Sequence, residues 1–310
     1  MRHITRYITV VIAFMLLFSC ENKELCYDHP HGQQILINIH WPEGVVKPQL
    51  GMRTNFFTLN AMPSYGIMDF SADGGSAKMP QGASYKSVCY DYYGSSNVYF
   101  RNENNINSSE AYCAPLVWAS YSRAFPTENT VTEPGLFYVD RVERVDIDVT
   151  EGEQVIDFYP ENVLKTYTFR IRTITGAGYI TAARGAISGM SASYFLASGE
   201  LAASSSTILF NAVADAANNW ITGAFRTFGQ LEDTNNFTIE ILRPSKDGST
   251  ISRTWDVTNQ MKNLTSGQEY DIEIIDADIT ITPYDGDDGG GGAFDATVKE
   301  WEEEKVKIGM

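Results

Sequence analysis

Histidine is scarce in this chain and confined to its beginning. All four histidines lie at or before residue 40, so a Ser-His-Asp triad has no histidine to draw from the second half. The sequence also lacks a His-Glu-x-x-His motif, a Cys-x-x-Cys pair and a P-loop, and Gly189-Met190-Ser191-Ala192-Ser193 lacks the last glycine of a nucleophile elbow. Paired carboxylates stay an alternative because acids are abundant, but no pattern singles out two of them. We predict no catalytic residues, no cofactor and no enzyme activity.

Positive charge is also in short supply. The 310 residues include 23 basic and 39 acidic side chains, which gives a net charge of −16. Nucleic-acid binding needs a basic footprint, and anionic lipid headgroups attract basic segments. The composition therefore argues against nucleic acid as a partner and against attachment to a membrane by charge.

Long apolar runs are absent except for residues 8–18, where only Thr9 is polar. Arg2 and Arg6 precede this run, and it is too short for a bilayer, which takes about 20 residues. A basic start, a short apolar run and a small residue at the cut make a secretory signal. Ser19 followed by Cys20 is similar to a bacterial lipoprotein signal, in which the cysteine is acylated, although Phe18 is bulkier than usual.

This resemblance implies a signal peptide over residues 1–19, lipidation at Cys20 and a tether over residues 20–32. Removing the signal leaves 21 basic and 39 acidic residues, a net charge of −18. Two or three acyl chains suffice for stable anchoring. We therefore expect a protein held in the outer membrane by its lipid, at the cell surface.

Cysteine is rare, with four in the chain. If Cys20 carries lipid, Cys26, Cys89 and Cys113 form an odd set. The compartment permits a disulfide, and Cys89–Cys113 is the pair to test first. Buried free thiols are an equally good interpretation, because spacing does not show the geometry that a bridge needs.

Short alternating segments dominate the rest of the chain. Apolar residues recur at every second position, which is typical of half-buried strands; the clearest sets are Ile35, Ile37, Ile39 and Trp41; Val145, Ile147 and Val149; Tyr167, Phe169 and Ile171; Phe237, Ile239 and Ile241. No stretch has a long helical period. We predict an all-β chain of two tandem β-sandwich domains, residues 33–160 and 161–284.

Two segments leave their structure open. Residues 175–192 are rich in Gly, Ala and Ser, which suits a closely packed strand pair or a short helix. Near the end, Tyr270, Ile272 and Ile274 alternate, but Ile275 begins a set of the opposite parity. One extra residue there indicates a bulge or a strand that changes sheets.

Two acidic clusters raise the question of a metal. Asp28, His29 and His31 could supply ligands, but a polar turn that caps backbone groups explains them better. Asp285, Asp287 and Asp288 resemble the start of a calcium loop, yet no acidic residue closes it at the required spacing. We predict no metal site.

The C-terminal tail differs from the body of the chain. Residues 285–292 form a Gly/Asp-rich linker. Phe294, Val298 and Trp301 follow among acids, and residues 269–310 hold 13 acidic and 3 basic side chains. An apolar segment after a flexible linker must dock on its own body or on another chain. We favour another chain and predict Phe294, Val298 and Trp301 as partner-binding residues.

Several motifs together resemble the fimbrillin-like lipoproteins of gut and oral Bacteroidales, especially the anchor-type group. Each motif alone is weak, and together they span nearly the whole chain: the lipid signal followed by Cys26-Tyr27-Asp28-His29-Pro30-His31, Met79-Pro80-Gln81-Gly82-Ala83-Ser84-Tyr85, Ser188-Gly189-Met190, Phe225-Arg226-Thr227-Phe228-Gly229, and Phe294-Asp295-Ala296-Thr297-Val298 with Trp301. The resemblance implies two Greek-key, transthyretin-like β-sandwiches and a structural role in a pilus, with other fimbrial subunits as partners.

In that family, shaft subunits lose their first strand by cleavage after a basic residue, and a strand of another subunit fills the gap. Here residues 26–41 contain no lysine or arginine, and Lys47 and Arg53 are the next ones. The sequence therefore favours an anchor that keeps its first strand. The alternative function is a surface glycan-binding lipoprotein, and burial of Trp41, Trp118, Trp220 and Trp255 would argue against it.

Overall fold

The described residues fold mainly as β-strands in a computed structural model. The structure describes the following residues: 32–59, 64–116, 128–147, 152–172, 174–231, 233–242, 250–261, 270–275 and 277–283. The predicted signal, residues 20–31 of the predicted tether, the tail and Trp118 lie outside them.

The first half supplies eleven of the described strands. In chain order they are: β1 Gly32–Ile39, β2 Met52–Thr58, β3 Ser64–Phe70, β4 Gly74–Pro80, β5 Ser84–Tyr90, β6 Tyr99–Arg101, β7 Glu110–Tyr112, β8 Asn129–Thr132, β9 Tyr138–Asp146, β10 Glu153–Phe158 and β11 Glu161–Asn162.

The second half continues the β-architecture with two short helical elements. These are: β12 Lys165–Ile171, β13 Ile174–Thr175, a 3₁₀ helix Ala177–Tyr179, β14 Ala182–Ser191, β15 Ser193–Phe195, β16 Ser205–Asp215, β17 Trp220–Thr227, β18 Gly229–Gln230, β19 Asn236–Leu242, β20 Thr250–Asp256, helix α1 Thr258–Met261, β21 Tyr270–Ile274 and β22 Ile279–Thr280.

Two sheets enclose the first core. One has the order β10-β1-β4 and the other the order β11-β9-β5-β2-β3. Their inward side chains alternate with outward ones, as period two requires. We call the following buried set the first core: Ile35, Ile37, Ile39, Met52, Phe56, Met79, Tyr85, Cys89, Val145, Ile147, Ile156 and Phe158.

A larger curled sheet surrounds the second core. Its strands follow the order β20-β19-β14-β16-β17-β12-β21, with β18 beside β14 and β8 beside β16. The second core is the buried cluster inside this sheet, with Phe169, Phe210, Phe225 and Phe237 at its centre. Their rings lie 4.2 to 5.6 Å apart where they meet, a spacing typical of favourable aromatic pairs.

The predicted boundary at residue 160 does not separate the sheets. Strand β8 pairs in parallel with β16, with Val131 opposite Ile208, and β7 pairs with β15, with Ala111 opposite Tyr194. The second core also includes buried residues from before residue 160: Phe57, Val88, Tyr90, Val98, Ala111, Cys113, Val131, Phe137 and Val139. The segment containing β6 to β8 therefore packs with the second half, and residues 33–160 are not a self-contained sandwich.

The structure decides the two segments that the sequence left open. The Gly- and Ala-rich stretch contains a 3₁₀ helix followed by one long strand, β14, which is buried on both faces. Position 185 requires glycine, because a methyl group there would clash with the Phe210 ring. Near the chain end, β21 pairs with β12 and β22 with β13. The change of parity thus marks a move between sheets, and Ile275 at the crossing is 57 % exposed.

Candidate assembly site at the first strand

The first strand occupies the middle of its sheet. Strand β1 pairs in parallel with β10, from Gln34 opposite Glu153 to Ile39 opposite Phe158. On its other side it pairs with β4 in antiparallel register, from Gly32 opposite Pro80 to Asn38 opposite Gly74. Because both backbone edges of β1 are used, removing it would open a slot between two strands.

The inner face of β1 fills the first core. Ile35 and Ile37 are fully buried and Ile39 is 6 % exposed, which confirms the alternation predicted from the sequence. Fully burying one such side chain contributes about 1.5 to 3 kcal/mol. Losing the strand would therefore remove a substantial part of the first core together with its backbone hydrogen bonds.

Both ends of β1 are fastened. At the start, Gln33 is 2 % exposed and its Nε2 donates to the Gly152 carbonyl oxygen. At the end, the His40 N–H donates to the Phe158 oxygen at 2.8 Å, and the His40 ring lies 2.7 Å from the Asp157 carboxylate. The hydrogen bond from His40 lowers the pKa of Asp157. The Tyr159 ring stacks on His40 with centroids 4.7 Å apart.

The neighbouring strand β4 approaches β1 closely at Gly74. This glycine has φ +105°, a region that L side chains rarely adopt, and a methyl group there would clash with the Ile37 oxygen. The close approach allows β4 to pair with β1 along its whole length.

The two basic residues that follow β1 differ in accessibility. Lys47 lies in an exposed loop, pairs with Asp73 and precedes Pro48. Arg53 lies within β2, where its guanidinium contacts Asp69 at 2.7 Å and Glu103 at 3.0 Å and stacks 3.3 Å above the centre of the Tyr92 ring. Burial lowers the pKa of Arg53, but the hydrogen bonds to both carboxylates outweigh it, so the net pKa is raised. A protease would have to unfold β2 to reach Arg53.

A cleft of about 1050 Å³ lies beside the second core, which contributes Tyr194 to its lining. The lining also includes Arg141, Lys165, Asp140 and Glu161. Arg141 is already occupied, since its Nε donates to the Leu196 oxygen at 2.6 Å and its guanidinium contacts the Tyr194 hydroxyl. The lining mixes both charge signs, so the cleft selects no particular ligand charge.

The sequence-predicted sites fall mostly outside the described residues. Cys20 lies there, as do the partner-binding residues Phe294, Val298 and Trp301 and the acidic clusters near residues 28–31 and 285–288. Within the described part of the chain, no cluster of three or more metal-ligating side chains occurs. No helix among those residues is long and apolar enough to cross a membrane.

The predicted disulfide is not what the structure shows. Cys89 and Cys113 are both free and buried, and they belong to the first and the second core, respectively. Burial raises the pKa of each thiol to about 12. The free-thiol interpretation therefore matches the structure, and the pairing is wrong because the two side chains pack into different cores.

The described tryptophans are engaged in packing. The Trp41 Nε1–H donates to the Ala72 oxygen at 2.7 Å, and Trp255 packs against the second core. Trp220 lies beneath two guanidinium groups, with Arg170 5.2 Å and Arg172 5.1 Å from the ring centre. All three are half-buried, so their ring faces are largely used within the chain.

The sequence did not reveal the residues that hold β1 in place through hydrogen bonds and close backbone approach. Gln33, Asp157 and Gly74 look like ordinary surface or turn residues in the sequence. The alternation of Ile156 and Phe158 marks β10 as a strand, but its parallel pairing with β1 has no local signature. Asp157 and His40 are 117 positions apart, so only the fold brings them together.

The comparisons with known proteins agree with this architecture. A curated Bacteroides ovatus protein named "Putative fimbrium anchoring subunit Fim4B" is 25% identical over 320 aligned positions, covering 93% of this chain and 93% of the relative. A crystal structure of "a putative adhesin from Bacteroides ovatus ATCC 8483" matches with a TM-score of 0.65 and 23% identity, covering 86% of this chain and 97% of that one. A second crystal structure of "a putative adhesin from Bacteroides ovatus" matches with a TM-score of 0.50 and 7% identity, covering 79% of this chain and 87% of that one.

A family model described as "Domain of unknown function (DUF5119)" matches residues 19–211, which is more than half of the chain. It covers β1, the first core and the segment that pairs with the second half. The chain belongs to the DUF5119 family.

Proposed function

We propose that this protein is a structural subunit that anchors a fimbrium to the outer membrane, at the cell surface, and that it keeps its own first strand. The relative named as a fimbrium anchoring subunit supports this, since the similarity extends over 93% of both chains. The all-β fold shared with a Bacteroides adhesin structure is consistent with it. The role is structural and needs no catalysis.

The observation that carries the proposal is the position of β1. The strand is central in its sheet and hydrogen-bonded at both ends, and residues 26–46, which contain it, include no lysine or arginine. A shaft-type subunit needs an accessible basic residue after its first strand. This chain offers only Lys47, engaged with Asp73 and followed by Pro48.

Attachment to the membrane is assigned to Cys20. Its position after a short apolar run supports lipidation, and a lipid is the attachment that an acidic protein can use. The expected result of Cys20→Ala is release of the protein from the membrane fraction. Wild-type levels of membrane-bound mutant would overturn the lipid anchor.

Partner binding is assigned to the tail. Phe294, Val298 and Trp301 follow a glycine-rich linker and supply apolar contacts among acids. The double substitution Val298→Ala and Trp301→Ala is expected to reduce association with other fimbrial subunits while the melting temperature barely changes. Unfolding of the second core by this double mutant would show that the tail belongs to the fold instead.

Glycan binding has less support. Stacking on sugars needs exposed aromatic faces on a rigid platform, and Trp41, Trp220 and Trp255 are half-buried and packed within the chain. No observation on the described residues favours it over a fimbrial role.

The retained first strand is tested with a protease specific for lysine and arginine. We expect the folded wild-type protein, after digestion, to keep residues 32–46 attached, as read by intact mass and N-terminal sequencing. Glu43 lies in the exposed turn after β1, so Glu43→Arg should create a cut there.

The matched variant makes the test sharp. Cut Glu43→Arg protein should accept a donor strand from a shaft subunit, because β1 is no longer tethered, whereas digested wild type should not. If wild type is cut between residues 40 and 53 under the same conditions and then polymerises, the protein is a shaft subunit and the anchor proposal fails.

A further inference from the structure

Among the described strands, β20 and β21 are the outermost strands of the second core's sheet, and helix α1 lies between them in chain order. The Asp256 carboxylate at the end of β20 accepts a hydrogen bond from the Thr258 N–H at 2.9 Å, which satisfies the first backbone donor of the helix. Val257 and Met261 are 1% and 2% exposed. The helix is therefore held against the second core on both sides of Gln260.

Gln260 reaches from this helix to the backbone of β21. Its Nε2 donates to the Glu273 carbonyl oxygen at 3.0 Å, and the Glu273 N–H donates to its Oε1 at 2.8 Å. A carboxamide carries the same donor and acceptor as a peptide group. The two bonds to one residue therefore reproduce those that a neighbouring strand would make.

The Glu273 backbone groups face the outer edge of the sheet. On its inner side β21 pairs with β12, with Arg170 opposite Glu273, and the Arg172 N–H donates to the Ile274 oxygen at 2.8 Å. Backbone groups of successive residues alternate in direction, so those of Glu273 point away from β12. Among the described strands only β12 pairs with β21.

The side chains of β21 define what would fit beside it. Ile272 and Ile274 are buried in the second core, while Asp271 is exposed on the opposite face and bonds Thr168 at 2.5 Å. In a strand added beside β21, every second side chain would face the second core, and the side chains between them would face solvent. The fitting partner is thus an extended segment in which apolar and polar residues alternate.

We propose that the outer edge of β21 is a strand-addition site that Gln260 holds closed. Its occupant is an extended, alternately apolar segment of another fimbrial subunit, so the inference rests on the proposed function. An unprotected edge is a template for unwanted pairing. Gln260 blocks weak partners, and a matching strand displaces it by exchanging two side-chain bonds for a longer ladder of main-chain bonds.

The test compares wild type with Gln260→Leu and Gln260→Asn in the purified chain. The probe is a labelled, N-acetylated peptide, Lys-Val-Thr-Val-Thr-Val-Lys. Leucine lacks the amide and asparagine is one methylene too short, so both should bind the probe about tenfold more tightly than wild type. Gln81→Leu is the matched control, because the Gln81 Nε2 donates to the Gln33 side chain rather than to a strand edge.

Hydrogen exchange supplies a second readout that does not depend on the probe. The Glu273 amide should exchange slowly in wild type, faster in both Gln260 variants, and slowly again when the probe is bound. Equal exchange at Glu273 in wild type and Gln260→Asn, or equal probe affinity in all four proteins, would overturn the inference. The assay contains no fimbrial subunit, so its result does not depend on the anchor proposal. If the anchor proposal alone failed, the protein would not associate with fimbrial subunits, but the Gln260 variants would still bind the probe more tightly than wild type.

Discussion

The two cores differ in where their residues come from. The first core is built entirely from residues 35–158 and depends on β1, the first described strand. The second core combines strands after residue 160 with β6 to β8 and with buried residues of β2, β5 and β9, all of which come from before residue 160. The first core can therefore be opened by removing one terminal strand, whereas the second is tied to the middle of the chain. Exchange of the first strand would affect one core and leave the other as a fixed platform.

The largest effect is expected from cutting the chain at the sequence-predicted boundary. A fragment of residues 161–283 lacks β8 and the buried Val131 and Phe137, so we expect no cooperative unfolding transition. A fragment of residues 52–283, which keeps every buried residue of the second core and lacks β1, should regain one, as read by circular dichroism. If the shorter fragment melts cooperatively near the temperature of the longer one, the second core does not need the residues that precede position 161.

A charged side chain placed in one core should unfold mainly that core, which tests whether the two cores unfold independently. Ile37 is fully buried in the first core and Val131 is 1% exposed in the second. Substituting either with aspartate should cost at least about 4 kcal/mol, because an unpaired charge is buried. Hydrogen exchange should show Ile37→Asp opening mainly β1, β4 and β10, and Val131→Asp opening β14 and β16. Equal loss of protection in both cores would mean that they unfold as one unit.

Glycine substitutions give a smaller effect beside the same strand. Gly74→Ala forces an unfavourable φ and a clash with the Ile37 oxygen, so we expect a loss of about 3 kcal/mol. Gly44 has φ +80° but nothing within 4 Å, and Gly44→Ala should cost only about 1 kcal/mol. Chemical denaturation measures both. Similar losses at the two sites would remove the argument for close approach at β4.

The smallest effect concerns the carboxyl group of Glu133, the residue that follows β8. Burial raises the pKa of Glu133 even though its carboxylate accepts the Arg226 N–H at 3.1 Å. A carboxyl with a raised folded pKa costs stability where it is ionised, and this cost disappears as the pH falls below the unfolded pKa of about 4.3. Glu133→Gln should therefore be slightly more stable than wild type at pH 7 and equal to it below about pH 4. Melting curves at both pH values check this sign.

Much of the local structure could be predicted because period two is a property of neighbouring residues. The alternation around Ile37, Phe169 and Ile239 placed β1, β12 and β19 correctly, and the parity change near Ile275 located the move between sheets. The candidate site was predicted only in part. The sequence showed that no lysine or arginine follows β1 before Lys47, but not that β1 is central.

The sequence by itself determined the strands, their inward faces and the acidic charge, since these follow from residue type and spacing. Tertiary structure alone decided the parallel pairing of β1 with β10, the burial of Cys89 and Cys113 in different cores, and the parallel pairing of β8 with β16. The physical reason is that strands present similar backbone edges to any partner. Which edges meet depends on packing of the whole chain, and no local pattern records it.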